Sequence, residues 1–186
     1  DHRDLHSFPT RRSSDLITGC AGESAGADSY NGCQNTYDTT NGVHASTTGT
    51  IYGIYDMSGS AWERVAAYVD NTNINLNGYN SSIINALGKY KDIYQKNTID
   101  DSANNYLLTV NKKGNAVYET SSNGIGTELG WFSDYTDMPS DDYPWFGRGS
   151  SCYYGPYAGL FSFYYSNGEP RYISSFRPVV LVGTGL

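Results

Sequence analysis

Positive charge is scarce in this chain of 186 residues, which has 12 Lys and Arg against 19 Asp and Glu and a formal net charge of −7. Nucleic acids and anionic membrane surfaces are polyanions, so this balance disfavours both as partners. The sequence also lacks any apolar run of the roughly 18–20 residues that a membrane-spanning helix needs. We therefore expect no nucleic-acid partner, and contact with a membrane only through an anchor that precedes these residues.

Charged side chains make up only 17% of the chain, and its polarity comes instead from Gly, Ser, Thr, Asn and Tyr. The aromatic fraction of 15% is enough to form a core, which excludes a disordered chain. This composition is typical of extracellular proteins built from strands and loops. We expect an extracellular or bacterial cell-surface location, with a phage virion as the alternative.

Histidine is nearly absent once the amino-terminal residues are set aside. Residues 6–16 read HSFPTRRSSDL and resemble the translation of a common sequencing adapter. We expect residues 1–16 to be a non-native, disordered leader, with a natural polar leader as the alternative. Residues 17–186 would then form a single, amino-terminally truncated domain from a metagenomic fragment. That domain has one histidine, His44, which argues against a His-rich metal site and a His-dependent hydrolase.

Local patterns predict an α+β fold with a large irregular fraction. Residues 81–96 are the best helix candidate, because Ile83, Ile84 and Leu87 recur at helical spacing and a serine can cap the first turn. The other predicted elements are β-prone residues 46–55, 160–165 and 176–182, the ambiguous residues 61–69, and residues 106–110, which fit a strand or a helix turn.

Alternation in residues 160–165 separates the two faces of a predicted strand. Phe161, Phe163 and Tyr165 share one face, and we expect the two phenylalanines to point inward. Leu160, Ser162 and Tyr164 share the other face.

Three motifs resemble the formylglycine-generating (sulfatase-modifying factor) family. Residues 52–63, YGIYDMSGSAWE, resemble the segment YGxYDMxGNxWEW of that family. Residues 146–150, FGRGS, resemble its RGGS segment, and residues 175–179, SFRPV, resemble its terminal GFR strand. The order and the rough separations match, and the three motifs together span most of residues 17–186.

The resemblance implies a variant of the C-type-lectin fold, with short helices, a small twisted antiparallel sheet and long loops. It also implies that residues 60–64 are extended despite their helical propensity, since tertiary context overrides propensity in short segments. Trp62 would then be a core residue. Glu63 would form a structural ion pair with a buried basic group such as Arg148 or Arg177.

Members of this family oxidise a substrate cysteine to formylglycine with copper, which two nearby cysteines at the carboxyl end hold. Cu(I) favours a pair of thiolates, and here that region offers only Cys152. We therefore favour a non-catalytic protein, with a divergent copper-dependent oxidase that uses Cys152 as the alternative. Cys20 and Cys33 lie upstream of the motifs and either form a disulfide or stay as free thiols.

Tyrosine is concentrated near the carboxyl end, where residues 143–177 hold 12 aromatic residues. Tyr with Ser, Gly and Asn is also the composition of antibody paratopes, in which Tyr supplies contact area at a low cost in side-chain entropy. We expect some of these side chains to be displayed for ligand binding, while the alternative for each is an ordinary sheet residue packed on the core. The candidates are Tyr153, Tyr154, Tyr157, Tyr164, Tyr165 and Tyr172.

The same stretch resembles the variable region of proteins that diversity-generating retroelements target, which share the lectin-like fold. Their mutagenesis acts at adenines and converts Asn codons to Tyr, Ser, Asp or Gly codons. These residue types are enriched in residues 143–177.

An acidic loop offers candidate cation ligands. Asp134, Asp137, Asp141 and Asp142 could present oxygens to Ca²⁺, although their spacing matches no EF-hand and a solvated acidic loop is the simpler interpretation. We expect no cofactor, with a structural Ca²⁺ at these residues as the alternative.

These patterns predict a non-catalytic surface module, an adhesin or receptor-binding domain, whose Tyr-rich face binds a protein or a glycan on another cell or particle. The alternatives are the copper-dependent oxidase, a structural domain of a pilus or tail fibre, and a target protein of a diversity-generating retroelement. In a purely structural domain, the exposed tyrosines would be scattered rather than contiguous.

Overall fold

The structure is a computed structural model that describes residues 37–55, 57, 61–96, 102–126, 130–171 and 173–177. Within these residues the fold is α+β, with one small mixed sheet, short helices and long irregular segments. The strands are β1 (Trp62–Asp70), β2 (Asp92–Gln95), β3 (Trp145–Arg148), β4 (Phe163–Ser166) and β5 (Ser174–Ser175). The α-helices are α1 (Ile74–Gly78), α2 (Ser81–Ile84) and α3 (Ser102–Leu108). Short 3₁₀ helices lie at Gly42–Ala45, Gly88–Tyr90, Thr109–Asn111, Trp131–Ser133 and Cys152–Tyr157.

β1 is the centre of the sheet, whose strand order is β2-β1-β3-β4. β2 runs parallel to β1, whereas β3 is antiparallel to both β1 and β4. The short β5 also pairs with β1, in parallel, at Trp62 and Glu63. The sheet is therefore mixed, and the expectation of an antiparallel sheet is wrong, because the long connection through α1 and α2 allows β2 to pair with β1 in parallel. The register between β1 and β3 shifts between Arg64 and Tyr68, where β1 has more residues than β3. The extended conformation expected for this segment is therefore present from Trp62 onward.

Two hydrophobic clusters pack around the sheet. The larger cluster joins β1, β3 and β4 to α3 and includes the fully buried Val69 and Phe163, together with Phe146 and Tyr106. The smaller cluster contains Tyr68, Leu76 and Trp145. The Trp145 indole also donates a hydrogen bond to the Asn75 carbonyl at 3.1 Å, so α1 is tied to β3 by polar and apolar contacts together.

The prediction of one helix over residues 81–96 is wrong. α2 ends at Ile84, and after the 3₁₀ turn Gly88–Tyr90 the chain continues as β2. Gly88 weakens a helix at its centre, and a helix of this length is marginal without tertiary support. β2 instead pairs with β1 and buries Tyr94, while Ile83 and Ile84 still pack on the smaller cluster.

Tertiary contacts also decide the remaining ambiguous segments. Residues 106–110 belong to α3 and the 3₁₀ turn that follows it, so the helical alternative is correct. In residues 46–55 the β-pairing is a single antiparallel bridge between Ser46 and Tyr55. None of the helices in the described part of the chain is long and apolar enough to span a membrane.

The inward orientation expected along residues 160–165 holds for Phe163 but not for Phe161. Phe163 is fully buried, whereas Phe161 is only half-buried and its ring lies 5.4 Å from that of the exposed Trp131. The alternation fails because β4 begins at Phe163, so Phe161 lies in the preceding turn. Its N–H donates to the Asp134 carboxylate at 3.0 Å, which holds this turn against the loop of residues 131–134.

Candidate functional site

Seven aromatic rings form a contiguous group, which we call the tyrosine array. Trp62 at the start of β1 lies at its centre, 5.0 Å from the ring of Tyr164 and 5.6 Å from that of Tyr154. Tyr164 stacks in turn on Tyr165 at 4.4 Å. The members of the array are Trp62, Tyr135, Tyr143, Tyr153, Tyr154, Tyr164 and Tyr165.

Sheet register brings these rings together from distant parts of the sequence. Gly147 of β3 pairs with Arg64 of β1 on one side and with Tyr164 of β4 on the other. Because Gly147 has no side chain, the Trp62 ring can extend over β3 towards Tyr164; a Cβ at position 147 would lie 3.4 Å from that ring. The glycine in β3 therefore permits a ring contact between β1 and β4, which are not neighbours in the sheet.

Burial falls from the centre of the array to its two ends. Trp62 and Tyr135 are buried, whereas Tyr154, Tyr164 and Tyr165 are half-buried. The outermost rings are Tyr153, which is 65% exposed, and Tyr143, which is 39% exposed. The buried rings therefore anchor an aromatic surface that is accessible to solvent at its two ends.

Charged and polar groups border one side of the array. The Arg64 guanidinium donates to the Ser166 hydroxyl at 3.1 Å and to the Glu169 carbonyl. The Glu169 carboxylate accepts a hydrogen bond from the Tyr79 hydroxyl at 3.3 Å and lies 4.0 Å from Arg171. Burial lowers the pKa of Arg64, and the nearby Arg171 lowers it further. Arg171 and Glu169 remain accessible, so the border can hydrogen-bond to a polar partner.

The depression between the array and this polar border is shallow, with a volume of about 50 Å³. Pockets that enclose drug-sized ligands occupy roughly 300–1,000 Å³. The array is therefore shaped for contact with an extended surface and not for enclosing a small molecule.

A half-buried carboxylate lies beside the array. Asp137 accepts a hydrogen bond from the Tyr135 hydroxyl at 3.2 Å, and its backbone N–H donates to the Phe163 carbonyl. Burial raises the pKa of Asp137 to about 6, although hydrogen bonds from Ser102 and Tyr135 act in the opposite direction. This carboxyl group therefore titrates closer to neutral pH than an ordinary aspartate.

Four phenols of the array, those of Tyr135, Tyr154, Tyr164 and Tyr165, stay protonated at physiological pH. Burial raises the pKa values of Tyr135, Tyr154, Tyr164 and Tyr165, and the charge of Asp137 raises those of Tyr135, Tyr154 and Tyr165 further. A neutral phenol can both donate and accept a hydrogen bond. The accessible edges of these rings thus combine an apolar face with a polar tip, which suits recognition of a partly polar surface.

The residues predicted to have structural roles lie together near the start of β1. Of the two candidate partners of Glu63, Arg177 forms the ion pair, but its side chain is exposed and not buried as expected; it also donates to the Tyr55 carbonyl at 2.8 Å. Arg148 lies opposite Glu63 in β3 but donates to the carbonyls of Asn115 at 2.6 Å and Ala116 at 3.0 Å. Trp62 is buried as expected for a core residue.

Among the predicted ligand-binding residues, Tyr153, Tyr154, Tyr164 and Tyr165 belong to the array. Tyr157 is half-buried at the end of the 3₁₀ helix Cys152–Tyr157, and its carbonyl accepts from the Tyr135 N–H at 2.9 Å. Tyr172, Cys20, Cys33 and the whole predicted leader lie outside the described part of the chain. For Cys152, only the backbone is described.

Two array residues, Tyr135 and Tyr143, were not among the sequence-based candidates. Both lie in the acidic loop that contains the candidate Ca²⁺ ligands, and their aromatic character is the only signal in the sequence that points to them. Nothing in the sequence indicated that this loop would pack against β1 and β4. The pairing of Thr136 with Phe163 places it there.

The acidic residues of that loop have separate structural roles. Asp134 is buried, and its carboxylate accepts a hydrogen bond from the Phe161 N–H. The Asp137 carboxylate accepts a hydrogen bond from the Tyr135 hydroxyl. Asp141 forms an ion pair with Lys96 at 3.5 Å, and Asp142 accepts from the Asn73 amide at 3.3 Å. Among the residues that the structure describes, no three His, Cys, Asp or Glu side chains are arranged to hold a metal ion.

Comparison with known proteins gave no relatives: no protein-family model, no curated protein and no solved structure matches this chain.

Proposed function

We propose that this protein is a non-catalytic surface module that binds a protein or a glycan through the tyrosine array. The observation that carries the proposal is the contiguity of the seven rings, which extend from the buried Trp62 to the exposed Tyr153. A contiguous aromatic surface with a polar border is characteristic of interaction sites, whereas isolated exposed rings are ordinary.

The residue types in the array favour binding over catalysis. Tyr has few rotatable bonds, so a displayed ring loses little entropy when a partner covers it. The buried members of the array restrict the exposed ones further, because each ring packs on the next. Preorganisation of this kind improves affinity by lowering the cost of ordering the surface.

We further propose a lectin-like fold of the formylglycine-generating type for the domain. Three sequence motifs, the first of which ends more than eighty residues before the other two begin, meet at Glu63. Glu63 pairs in register with Arg148 of the second motif and Ser175 of the third, and its carboxylate binds Arg177. The motifs that carry the resemblance thus form one structural unit, which supports a shared architecture. An extracellular location is part of the same proposal.

The test uses the purified chain, labelled with a fluorophore, on a glycan array and against a displayed peptide library. Tyr153→Ser and Tyr143→Ser change the exposed ends of the array. The matched control is Tyr52→Ser, because Tyr52 is 88% exposed and lies outside the array. We expect at least one selective ligand whose affinity falls about tenfold or more in the array variants, a loss typical of an interface hot spot, and stays unchanged in the control.

Two outcomes would contradict the proposal. The first is the absence of any selective ligand in both libraries. The second is a ligand whose affinity is equally sensitive to Tyr52→Ser, because its site would then lie away from the array. Circular dichroism of each variant separates loss of binding from loss of folding.

A further inference from the structure

A second, larger cleft lies next to the sheet, where β1 and β2 approach β3. It has a volume of about 390 Å³, within the range of roughly 300–1,000 Å³ that small-molecule sites occupy. Its lining is mixed, with polar groups beside the apolar side chains of Ala67 and Phe146 and the ring of Tyr90, and Phe146 is the residue that it shares with the depression at the array. The two sites are therefore separate, and an occupant of one need not touch the other.

Arg148 contributes a positive charge to this cleft and forms no ion pair with a described carboxylate. Its guanidinium donates to the carbonyls of Asn115 and Ala116, and its carbon lies 5.6 Å from the centre of the Phe163 ring. Within the described residues, Arg148 forms no ion pair. A guanidinium has five N–H donors, so after these two hydrogen bonds it retains donors for a further acceptor.

Burial makes this cation costly to keep without a counter-charge. Desolvation lowers the pKa of Arg148, although the neighbouring Asp92 partly opposes that effect. An anion that enters the cleft would supply the missing negative charge in a site where water screens it weakly.

Lys89 adds a second cation at the opening of the cleft. Its ammonium group lies 4.8 Å from the centre of the Tyr90 ring, and in the described part of the chain it has no carboxylate partner. Lys91 also borders the cleft, but its ammonium donates to the Ile84 carbonyl. Asp92, which is exposed, is the one acidic residue of the lining. The lining is thus net positive in a chain whose overall charge is −7.

Tyr94 supplies a neutral donor in the same cleft. Its hydroxyl accepts a hydrogen bond from the Asn115 side chain, which leaves its own proton for another acceptor. Burial raises the pKa of Tyr94 to about 12, so the phenol stays protonated and does not repel an anion.

We propose that this cleft binds a small organic carboxylate, with the carboxylate group beside Arg148 and Lys89 and an apolar body against Ala67, Tyr90 and Phe146. The cation without an ion-pair partner favours a ligand of negative charge, and the apolar side chains in the lining favour one that is larger than an inorganic ion. Because this cleft is separate from the array, the carboxylate-binding proposal does not depend on the proposed function.

The probe is benzoate, added to ¹⁵N-labelled protein and followed by the shifts of backbone amides. Benzamide has the same shape without the charge, and inorganic phosphate has charge without an apolar body. We expect saturable benzoate-dependent shifts at Ala67, Asn115 and Phe146, with at least about tenfold weaker binding of both other compounds, as expected when a charged hydrogen-bond partner is lost.

Two substitutions of exposed residues should change benzoate affinity in opposite directions. Lys89→Gln removes attraction and should raise the Kd roughly two- to fivefold, and Asp92→Asn removes repulsion and should lower it by a similar factor. Arg171→Gln, which removes a positive charge at the array, is the matched control and should leave the Kd unchanged.

Equal binding of benzoate and benzamide, or of benzoate and phosphate, would overturn the proposal. So would shifts that map to other residues, or a Kd that responds to neither Lys89→Gln nor Asp92→Asn. Because all three substituted residues are exposed, none of these results can be attributed to loss of the fold.

Discussion

The indole ring of Trp62 stacks on the phenol ring of Tyr164, with their centres 5.0 Å apart and their planes 25° from parallel, although β3 separates the two strands. The contact depends on Gly147, which occupies β3 between them. A methyl group at this position would make an ordinary contact with Trp62, whereas a longer side chain would have to displace one of the rings. Packing at the centre of the array thus requires a small residue at position 147.

Substitutions of Gly147 should therefore depend sharply on size. Gly147→Ala should fold with a free energy of unfolding close to that of the native protein. Gly147→Leu should lower it by roughly 1–3 kcal/mol, as overpacked core positions do. Urea denaturation measures both values, and equal stability of the two variants would show that the rings do not need this space.

Trp62 should be the most sensitive position of the array. Trp62→Ala removes a buried ring that contacts three tyrosines and should cost about 3–5 kcal/mol of unfolding free energy. Trp62→Phe should cost less, because it retains a ring and removes an indole N–H that has no hydrogen-bond partner among the described residues. Thermal and chemical denaturation would contradict this prediction if the two variants were equally destabilised.

The sequence predicted individual features of this region but not their assembly. Its aromatic density identified Tyr153, Tyr154, Tyr164 and Tyr165, and motif resemblance identified the extended segment at Trp62. The positions of Tyr135 and Tyr143 depend on pairing between residues far apart in the chain, which local propensity does not encode. The failed helix over residues 81–96 has the same cause, since β2 forms only because β1 is there to pair with it.

Asp137 should make the native protein more stable in mild acid than at neutral pH. Its pKa is about 6 in the folded protein and near 3.9 in an unfolded chain, so the folded state binds the proton more tightly. This contribution to stability therefore grows as the pH falls from about 7 to about 4, and it is lost as the pH rises through 6.

The variant Asp137→Asn removes that titration and keeps an acceptor for the Tyr135 hydroxyl. It should be more stable than the native protein at pH 7, by about 1 kcal/mol once partial exposure is taken into account. The difference should vanish near pH 4. Asp70→Asn, at an exposed position of β1, is the control and should leave the native pH dependence in place. A constant difference at both pH values would rule out the raised pKa.

The ion pair between Glu63 and Arg177 should contribute little to stability. The Arg177 side chain is 37% exposed, and solvent weakens such a pair. A double-mutant cycle with Glu63→Gln and Arg177→Gln should give a coupling free energy of about 0.2–1 kcal/mol that decreases at high salt. A coupling well above this range would mean that the pair is shielded from water.

The gradient of burial along the array divides its residues by their tolerance to change. Rings at the centre are constrained by every neighbour that they touch, whereas Tyr153 and Tyr143 at the ends have solvent on one side. Replacing the outer rings alters the chemistry offered to a partner at little cost to the scaffold. Under the proposed binding function, a few substitutions of these outer rings would change which partner is bound while the interior stays the same.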